Sequence, residues 1–350
     1  MARILFVTQQ VDPGHPALAA TVPKLRALAA RADEVVVLAD RALPDVLPEN
    51  CRVRSFGARS RLGRGLRFAS ALAAELARRP KPAAVVAHMC PIYAVLAAPL
   101  TRPLGVRVLL WYTHWSATRT LRVAERLSNA VLTVDPRTFP LLSAKVRAIG
   151  HGIDLEEFGC AHDDSHADVR AVALGRYSPA KGLEVVLRGL RLALDEGLDV
   201  RLEVYGPALN PAERAHRAEL ERLVEELDLG RRVKLAHAVL RTEVPGLFAR
   251  ADVLVNNMRA GATDKVVYEA CASCLPAIAS NPAFDSLLDE ELRFEREDAR
   301  GLADRLLALG RRPPEERHLL GETLRERVAA SHSVGSWADA VLEAAASWAS

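Results

Sequence analysis

Arg170-Ala171-Val172-Ala173-Leu174, running into Gly175-Arg176-Tyr177-Ser178-Pro179-Ala180-Lys181-Gly182, is the stretch on which the fold turns. A short apolar run of strand character meets a glycine turn, and the turn opens a helix expected over Pro179–Glu196. Ser178 suits the N-cap there and Pro179 the first helical position. Such a strand, apolar on both faces, calls for parallel neighbours and helical cover on each side. It also puts Arg176 and Lys181 at the carboxyl end of a strand, where open α/β sheets bind ligands. A guanidinium and an ammonium beside a helix N-terminus suit a diphosphate; two surface cations near a helix start are the alternative.

Working outward, the same grammar repeats in both directions. Upstream strands are expected at Arg3–Thr8, Glu34–Ala39, Arg52–Phe56, Ala83–Ala87, Val106–Tyr112, Ala130–Val134 and Lys145–Ile149. Amphipathic segments Leu18–Arg31, Leu66–Arg79 and Thr118–Ser128 separate some of them. After the polar stretch His162–Asp168 the pattern restarts, with further strands at Val200–Tyr205, Val233–Ala236, Asp252–Asn256 and Pro276–Ala279. Helices alternate with these, the last near Trp337–Trp348. The class is therefore α/β, as two Rossmann-like domains whose parallel sheets face a cleft. Expected bounds are 1–160, 161–332, and a final segment 333–350 that packs back on the first domain.

Half of the 350 residues are apolar and 26% are charged, which excludes a disordered chain. The formal net charge of +3 hides an asymmetry. Residues 1–160 carry 22 Lys/Arg against 12 Asp/Glu, and 161–350 carry 25 against 32. Arg52, Arg54, Arg59, Arg61, Arg64 and Arg67 crowd one stretch with no acid among them, either an anion-attracting patch or a solvated face. Five cysteines, an odd number, speak against a disulfide framework and for a reducing, cytoplasmic setting. Neither a signal peptide nor a membrane span is expected, because His88, Pro91 and Pro99 interrupt the longest apolar region.

The second chemical feature is Ala260-Gly261-Ala262-Thr263-Asp264-Lys265-Val266-Val267-Tyr268-Glu269-Ala270. A small-residue loop after a strand leads into a helix whose free N–H groups suit phosphate oxygens. Glu269 lies about a turn further in, on an apolar helix. It suits a vicinal diol such as a ribose, or a buried ion pair. Other patterns are weaker. Cys271 and Cys274 have CxxC spacing without a second ligand pair and are read as small buried hydrophobes. His162, Asp163, Asp164, His166 and Asp168 read as a solvated linker. Gly63-Arg64-Gly65 precedes a helix without following a strand, so it is no dinucleotide fingerprint. No metal site is expected.

Together the two features resemble glycosyltransferase family 4, the retaining enzymes of the GT-B fold, over nearly the whole chain. Gly175-Arg176 through Lys181-Gly182 is similar to its Gly-Arg…Lys-Gly motif, and His151-Gly152-Ile153-Asp154 with Phe158 to its Asn-Gly-Val-Asp-x-x-x-Phe segment. Tyr205-Gly206-Pro207 matches part of the Gly-x-Gly-Pro turn. Glu269 matches the second Glu of Glu-x7-Glu; Gly261 stands at the first. The resemblance implies that Arg176 and Lys181 neutralise a donor diphosphate and that Glu269 binds ribose hydroxyls. It also implies that the segment from Ala236 through His237 to Val239 lies against the base. Gly14 would admit backbone close to phosphate or acceptor, with Gly206, Lys265 and Val266 also donor-side. Asp264 takes over part of the missing Glu's sugar contact, or caps the helix at Lys265. His114, after a strand of the first domain, would contact sugar or acceptor, or be structural; His15 is a second candidate on that edge.

The implied activity is transfer of a sugar from a nucleoside-diphosphate sugar to an acceptor hydroxyl, with no cofactor and no metal. The basic first half points to a lipid carrier or cell-surface glycan precursor at an anionic membrane, met from its cytoplasmic side. Nucleic acid is not expected, since few aromatics interleave with the arginines. Two rivals remain: a nucleotide-sugar 2-epimerase on the same fold, and a non-catalytic nucleotide-sugar-binding protein.

Overall fold

The computed structural model describes residues 2–14, 18–43, 46–261 and 263–346. The chain divides into two units, Met1–Asp154 with Ser331–Ser350, and Leu155–Ala330. In the first, strands β1 (Arg3–Val11), β2 (Glu34–Ala42), β3 (Cys51–Ser55), β4 (Ala84–His88), β5 (Arg107–Trp111), β6 (Ala130–Thr133) and β7 (Val146–Ala148) form one sheet. The order is β3-β2-β1-β4-β5-β6-β7 and every pairing is parallel. Helices α1 (Thr21–Ala29), α2 (Arg61–Leu76), α3 (Pro91–Thr101) and α4 (Arg119–Leu127) connect them.

The second unit repeats the scheme with β8 (Val169–Leu174), β9 (Val200–Tyr205), β10 (Val233–Ala236), β11 (Val253–Asn256) and β12 (Ala277–Ala279). Their order is β10-β9-β8-β11-β12, again all parallel. Its helices are α5 (Leu183–Asp195), α6 (Pro211–Glu226), α7 (Val244–Phe248), α8 (Lys265–Ala272), α9 (Ala299–Gly310) and α10 (Pro314–His332). α11 (Val334–Ala346) then completes the first unit by packing on α1. The α/β architecture of two parallel sheets expected from the strand runs is the one observed.

Parallel strands buried on both faces explain the near-continuous apolar runs. Along β1, Leu5 and Val7 join Phe56, Phe68 and Tyr93 in the core under α2 and α3. Phe6 points the other way and meets Trp337 of α11 edge-on at 6.4 Å. Trp337 is fully buried and also stands perpendicular to Trp111 at 5.8 Å. A side chain at Gly152, where φ is +75°, would press on Lys24 and Trp337, so glycine is what lets the chain pass this helix. Beside it Ile153 pairs with the returning chain, its N–H donating to His332 O at 2.7 Å and its C=O accepting from Val334 N at 2.9 Å.

Two local expectations change. The arginine stretch is not one patch. Arg52 and Arg54, on β3, pair with Glu75 at 2.9 and 3.1 Å, and Arg3 joins the same buried carboxylate at 2.5 Å. Glu34 closes the network on Arg3 and Arg52 at 2.6 and 2.7 Å. Burial would raise the Glu75 and Glu34 carboxyls, but the guanidiniums outweigh it and hold both below the usual range. Arg59, Arg61, Arg64 and Arg67 follow β3, in the loop into α2 and its first turns. That helix starts at Arg61, ahead of the expected Leu66, because Ser60 Oγ accepts from Gly63 N at 3.0 Å. Gly63-Arg64-Gly65 is thus inside the helix.

The helix expected from Pro179 is likewise broken. Pro179–Lys181 is a single 3-10 turn, Gly182 adopts φ +54°, and α5 begins only at Leu183. Left-handed φ is cheap for glycine and ends the turn. Lys181 therefore sits on the turn, free to double back toward β8.

Candidate functional site

In the sheet of the second unit, connections leave β8 toward β9 on one side and return to β11 on the other. The gap between the carboxyl ends of β8 and β11 is the topological switch point, where ligands of open α/β sheets bind. Lys181 follows β8 and Asp264 follows β11, and they meet there. The Lys181 ammonium contacts Asp264 Oδ2 and donates to Leu174 O at 2.8 Å. Asn256, the last residue of β11, donates to the same Asp264 oxygen at 2.8 Å. Gly175, at φ +137°, makes room for this lysine: a Cβ there would collide with its ammonium. A Cβ at Gly206, after β9, would collide in turn with the Gly175 carbonyl. Gly175 and Gly206 thus each have a steric reason.

The turn around Lys181 is tied down by residues the sequence reading did not single out. Arg296 donates to Asn257 O at 2.5 Å and Ala180 O at 3.1 Å, and Asn257 donates to Gly182 O at 2.9 Å. Tyr177 OH lies 2.7 Å from Ala236 O and 3.0 Å from Val204 O; burial pushes its phenol up to about 12. No side-chain hydrogen bond caps α5 or α8, so their first-turn N–H groups face this region uncapped. That corrects the N-cap alternative for Asp264, which occupies the position but spends its carboxylate on Lys181 and Asn256.

Arg176 is not gathered with Lys181. Its side chain is more than half exposed and pairs with Glu213 Oε1 at 3.0 Å. Glu213, in the first turn of α6, is buried and also accepts from Leu209 N at 2.8 Å. Glu269 is buried, and Arg241 and Lys265 meet its Oε1 at 2.8 and 3.1 Å. Burial would raise this carboxyl; the charges of Lys265 and Arg241 outweigh it and hold it below the ordinary range. Arg241 reaches on to Glu157 at 2.7 Å and lies over the Phe158 ring at 5.4 Å. The ion-pair reading of Glu269 is therefore realised. Arg241 was missed because nothing in its local sequence marks it; its partners come from two distant segments, Glu157–Phe158 and Glu269.

The remaining candidates are placed as follows. His237 is exposed, 3.4 Å from Arg217, and Val239 is half-buried beyond it. Val266 is buried in α8. In the first unit His114 is exposed, its Nδ1 accepts from Ser116 N at 3.1 Å, and its ring stacks on Trp115. Gly14 N donates to Asp12 Oδ1 at 2.8 Å; a Cβ there meets only that oxygen, at 3.4 Å, so the local fold does not demand glycine. His15 lies outside the described residues. The linker set disperses into pairs: His162 stacks on His318, His318 lies 3.2 Å from Asp164, and His166 Nδ1 lies 2.7 Å from Asp168 O. Cys274 is not simply a small hydrophobe: it is bonded to Cys160 as a disulfide, with Cα atoms 5.0 Å apart. Arg325, contacting Phe158 O and Ala272 O, holds the two segments together. Cys271 remains a buried thiol, pushed up to about 12 by burial.

Residues 168–311 match the family model described as glycosyl transferases group 1. No curated protein matches the chain. Among solved structures it is similar to a sucrose-phosphate synthase from Thermosynechococcus elongatus, at 20% identity and a TM-score of 0.72, covering 98% of each chain. It is similar also to Anabaena HepE in complex with UDP and glucose, at 16% identity and a TM-score of 0.74, over 98% of this chain and 99% of that one. A trehalose-6-phosphate synthase aligns at 14% identity and a TM-score of 0.72, over 98% and 99%. These likenesses establish the fold as that of GT-B glycosyltransferases.

Proposed function

We propose, from the match of residues 168–311 to the glycosyl transferases group 1 model, that the protein moves a sugar from a nucleoside-diphosphate sugar to an acceptor hydroxyl, retaining anomeric configuration. The observation that carries this reading is the meeting of Lys181 and Asp264 at the switch point between β8 and β11. Lys181 exchanges its carboxylate partner for the donor diphosphate, with the N-termini of α5 and α8 adding N–H donors. Arg176 joins it by leaving Glu213, and Glu269 accepts from the ribose hydroxyls. Val266 and the His237–Val239 segment flank the base, and His114 contacts sugar or acceptor. That Anabaena HepE was solved with UDP and glucose supports a nucleotide-sugar donor.

The chemistry then rests on charge. As the glycosidic bond breaks, negative charge grows on the leaving diphosphate, and preorganised cations and N–H dipoles stabilise it most in the transition state. The same diphosphate takes the acceptor proton on the face where the new bond forms. No divalent cation is assigned a role, so turnover in EDTA equals that in its absence. A non-catalytic donor-binding role is the second reading, favoured by Gly261 at the position of a sugar-contacting Glu. The acceptor side is a lipid carrier or glycan precursor at the cytoplasmic face of an anionic membrane, a reading supported by the excess of cations over residues 1–160.

The test is thermal-shift screening of UDP-, GDP-, ADP- and dTDP-sugars against wild type and Lys181→Ala. One base series stabilises wild type and not the variant, and donor turnover in the variant falls about 10²-fold. Stabilisation without hydrolysis or transfer on long incubation selects the binding protein, and no shift with any nucleotide overturns both.

A further inference from the structure

The first unit contains a hollow of about 820 Å³ that the donor chemistry does not use. It opens where β2 and β3 end and α2 begins. Asp40 and Arg41 come from the end of β2, Arg59 and Ser60 from the loop into α2, and Arg64 and Arg67 from its first turns. Four guanidiniums thus face a single carboxylate. Asp40 Oδ2 lies 3.3 Å from Arg64, and Arg67 is anchored on Gly57 O at 2.5 Å. The side chains of Arg41 and Arg59 make no hydrogen bond or ion pair with any described residue. The Nε of Arg64 is buried without an acceptor among them. Gly57 is needed for this shape, since a Cβ there would stand 2.6 Å from Asp40 O.

On β1 and β3 the arginines are matched: Glu34 and Glu75 take up Arg3, Arg52 and Arg54. Arg59, Arg64 and Arg67, from the other half of the same arginine-rich stretch, gather with Arg41 around a concavity whose one carboxylate is Asp40. Like charges held together around one concavity repel, and an anion accepting several N–H bonds relieves both the repulsion and the unmet donors. Guanidinium forks fit phosphoryl oxygens in particular. We propose that this hollow is a phosphoryl-binding site, for a phosphate group borne by a free solute or by a lipid headgroup. Leu62 and Leu66, one turn apart on the same helix and 75% and 64% exposed, are the feature that decides between the two sources. Apolar side chains beside a basic hollow add affinity for a bilayer and none for a soluble phosphate. The site bears on the acceptor side of the proposed function but does not depend on it, because its occupancy is read without donor.

Binding is measured in an Arg176→Gln/Lys181→Gln background, which removes the donor-side cations. Inorganic pyrophosphate is titrated by calorimetry, and vesicles of phosphatidylglycerol in phosphatidylcholine are tested by co-sedimentation. Arg41→Gln/Arg59→Gln, whose target side chains make no hydrogen bond or ion pair with a described residue, raises the dissociation constant at least about tenfold. Arg78→Gln/Arg231→Gln, which removes the same charge from exposed positions elsewhere, leaves it unchanged. Leu62→Ser/Leu66→Ser weakens only vesicle binding if a headgroup is the ligand, and neither if a free phosphate is. The proposal is overturned if the background protein binds neither probe, or if the two arginine pairs have equal effects. A failed donor screen with intact pyrophosphate binding here would remove the transferase reading and leave this site standing.

Discussion

Lys181 and Asp264, far apart in sequence, share one ion pair at the point where the sheet of the second unit reverses its strand order. Both side chains are largely withdrawn from solvent, at 14% and 18% exposure. Asn256 donates to the same carboxylate oxygen. On the proposed reading of Lys181 as a diphosphate cation, it is already neutralised by a carboxylate, and the two anions would compete for it. Asp264 has to turn away before Lys181 engages a ligand, and once turned it becomes available to a sugar hydroxyl.

That competition has a signed consequence. Asp264→Asn removes the negative charge while keeping a hydrogen-bonding side chain, so a nucleoside diphosphate binds more tightly than to wild type, by about tenfold for one close like-charge contact removed. If the displaced carboxylate also contacts the transferred sugar, turnover falls in the same variant. Calorimetry with the nucleoside diphosphate and steady-state turnover separate the two effects. Wild-type turnover in Asp264→Ala removes the sugar contact, and unchanged affinity removes the competition.

Glu269 has two roles to distinguish, an anchor for Arg241 and Lys265 and a ribose acceptor. Glu269→Gln lowers unfolding stability in either case, by about 1 to 2 kcal/mol, because a partly buried guanidinium loses one of its two carboxylate partners. Only the ribose role is selective among ligands. Affinity for the nucleoside diphosphate then falls about tenfold while affinity for inorganic pyrophosphate is kept. Parallel loss of both shows that the carboxylate is structural alone.

The two sheets were legible because parallel strands, buried on both faces, write themselves as short apolar runs such as Leu5–Val7 and Ala171–Leu174. The turn at Gly175 and the carboxyl-end position of Lys181 followed from the same pattern. What stayed hidden was pairing at long range. Nothing near Arg176 points to Glu213, nothing near Arg241 points to Glu157 and Glu269, and Arg296 reaches across to the Lys181 turn from a distant segment. The arginine stretch misled for a related reason. Arg52 and Arg54 lie on β3 and turn to Glu75, whereas Arg59 and Arg64 follow the strand and sit by Asp40, so neighbours in sequence serve different carboxylates. Gly182 was read as part of a motif, though its left-handed φ is what ends the turn carrying Lys181.

The Cys160–Cys274 bond gives a chemical count. Five cysteines with one bond leave three thiols, those of Cys51, Cys90 and Cys271. Thiol titration of protein denatured without reductant therefore yields three, and five after reduction. Five in both samples would show the bond unformed in the purified protein. Reduction also loosens the segment after α8, so it lowers the unfolding temperature.

Acid sensitivity of the first unit follows from two histidines held neutral. His88, fully buried at the end of β4 with Thr8 Oγ1 at 3.2 Å, is pushed down to about 3 by burial and then by the Lys24 charge. His332 is pushed down to about 4 by burial, against the pull of Asp135. A histidine whose folded pKa lies below its unfolded value binds its proton more readily in the unfolded chain. Its contribution to stability is complete above about pH 6.5 and is lost as pH falls toward 3 to 4. Each group costs about 1.4 kcal/mol per pH unit across that window. The unfolding temperature of the first unit therefore drops between pH 7 and 5, before the Glu75 and Glu34 carboxylates begin to protonate. His88→Asn, which retains a polar partner for Thr8, is less stable at pH 7 but shows about half of that slope. Equal slopes in calorimetric scans of variant and wild type would show that His88 is charged, or absent from the acid response, in the folded protein.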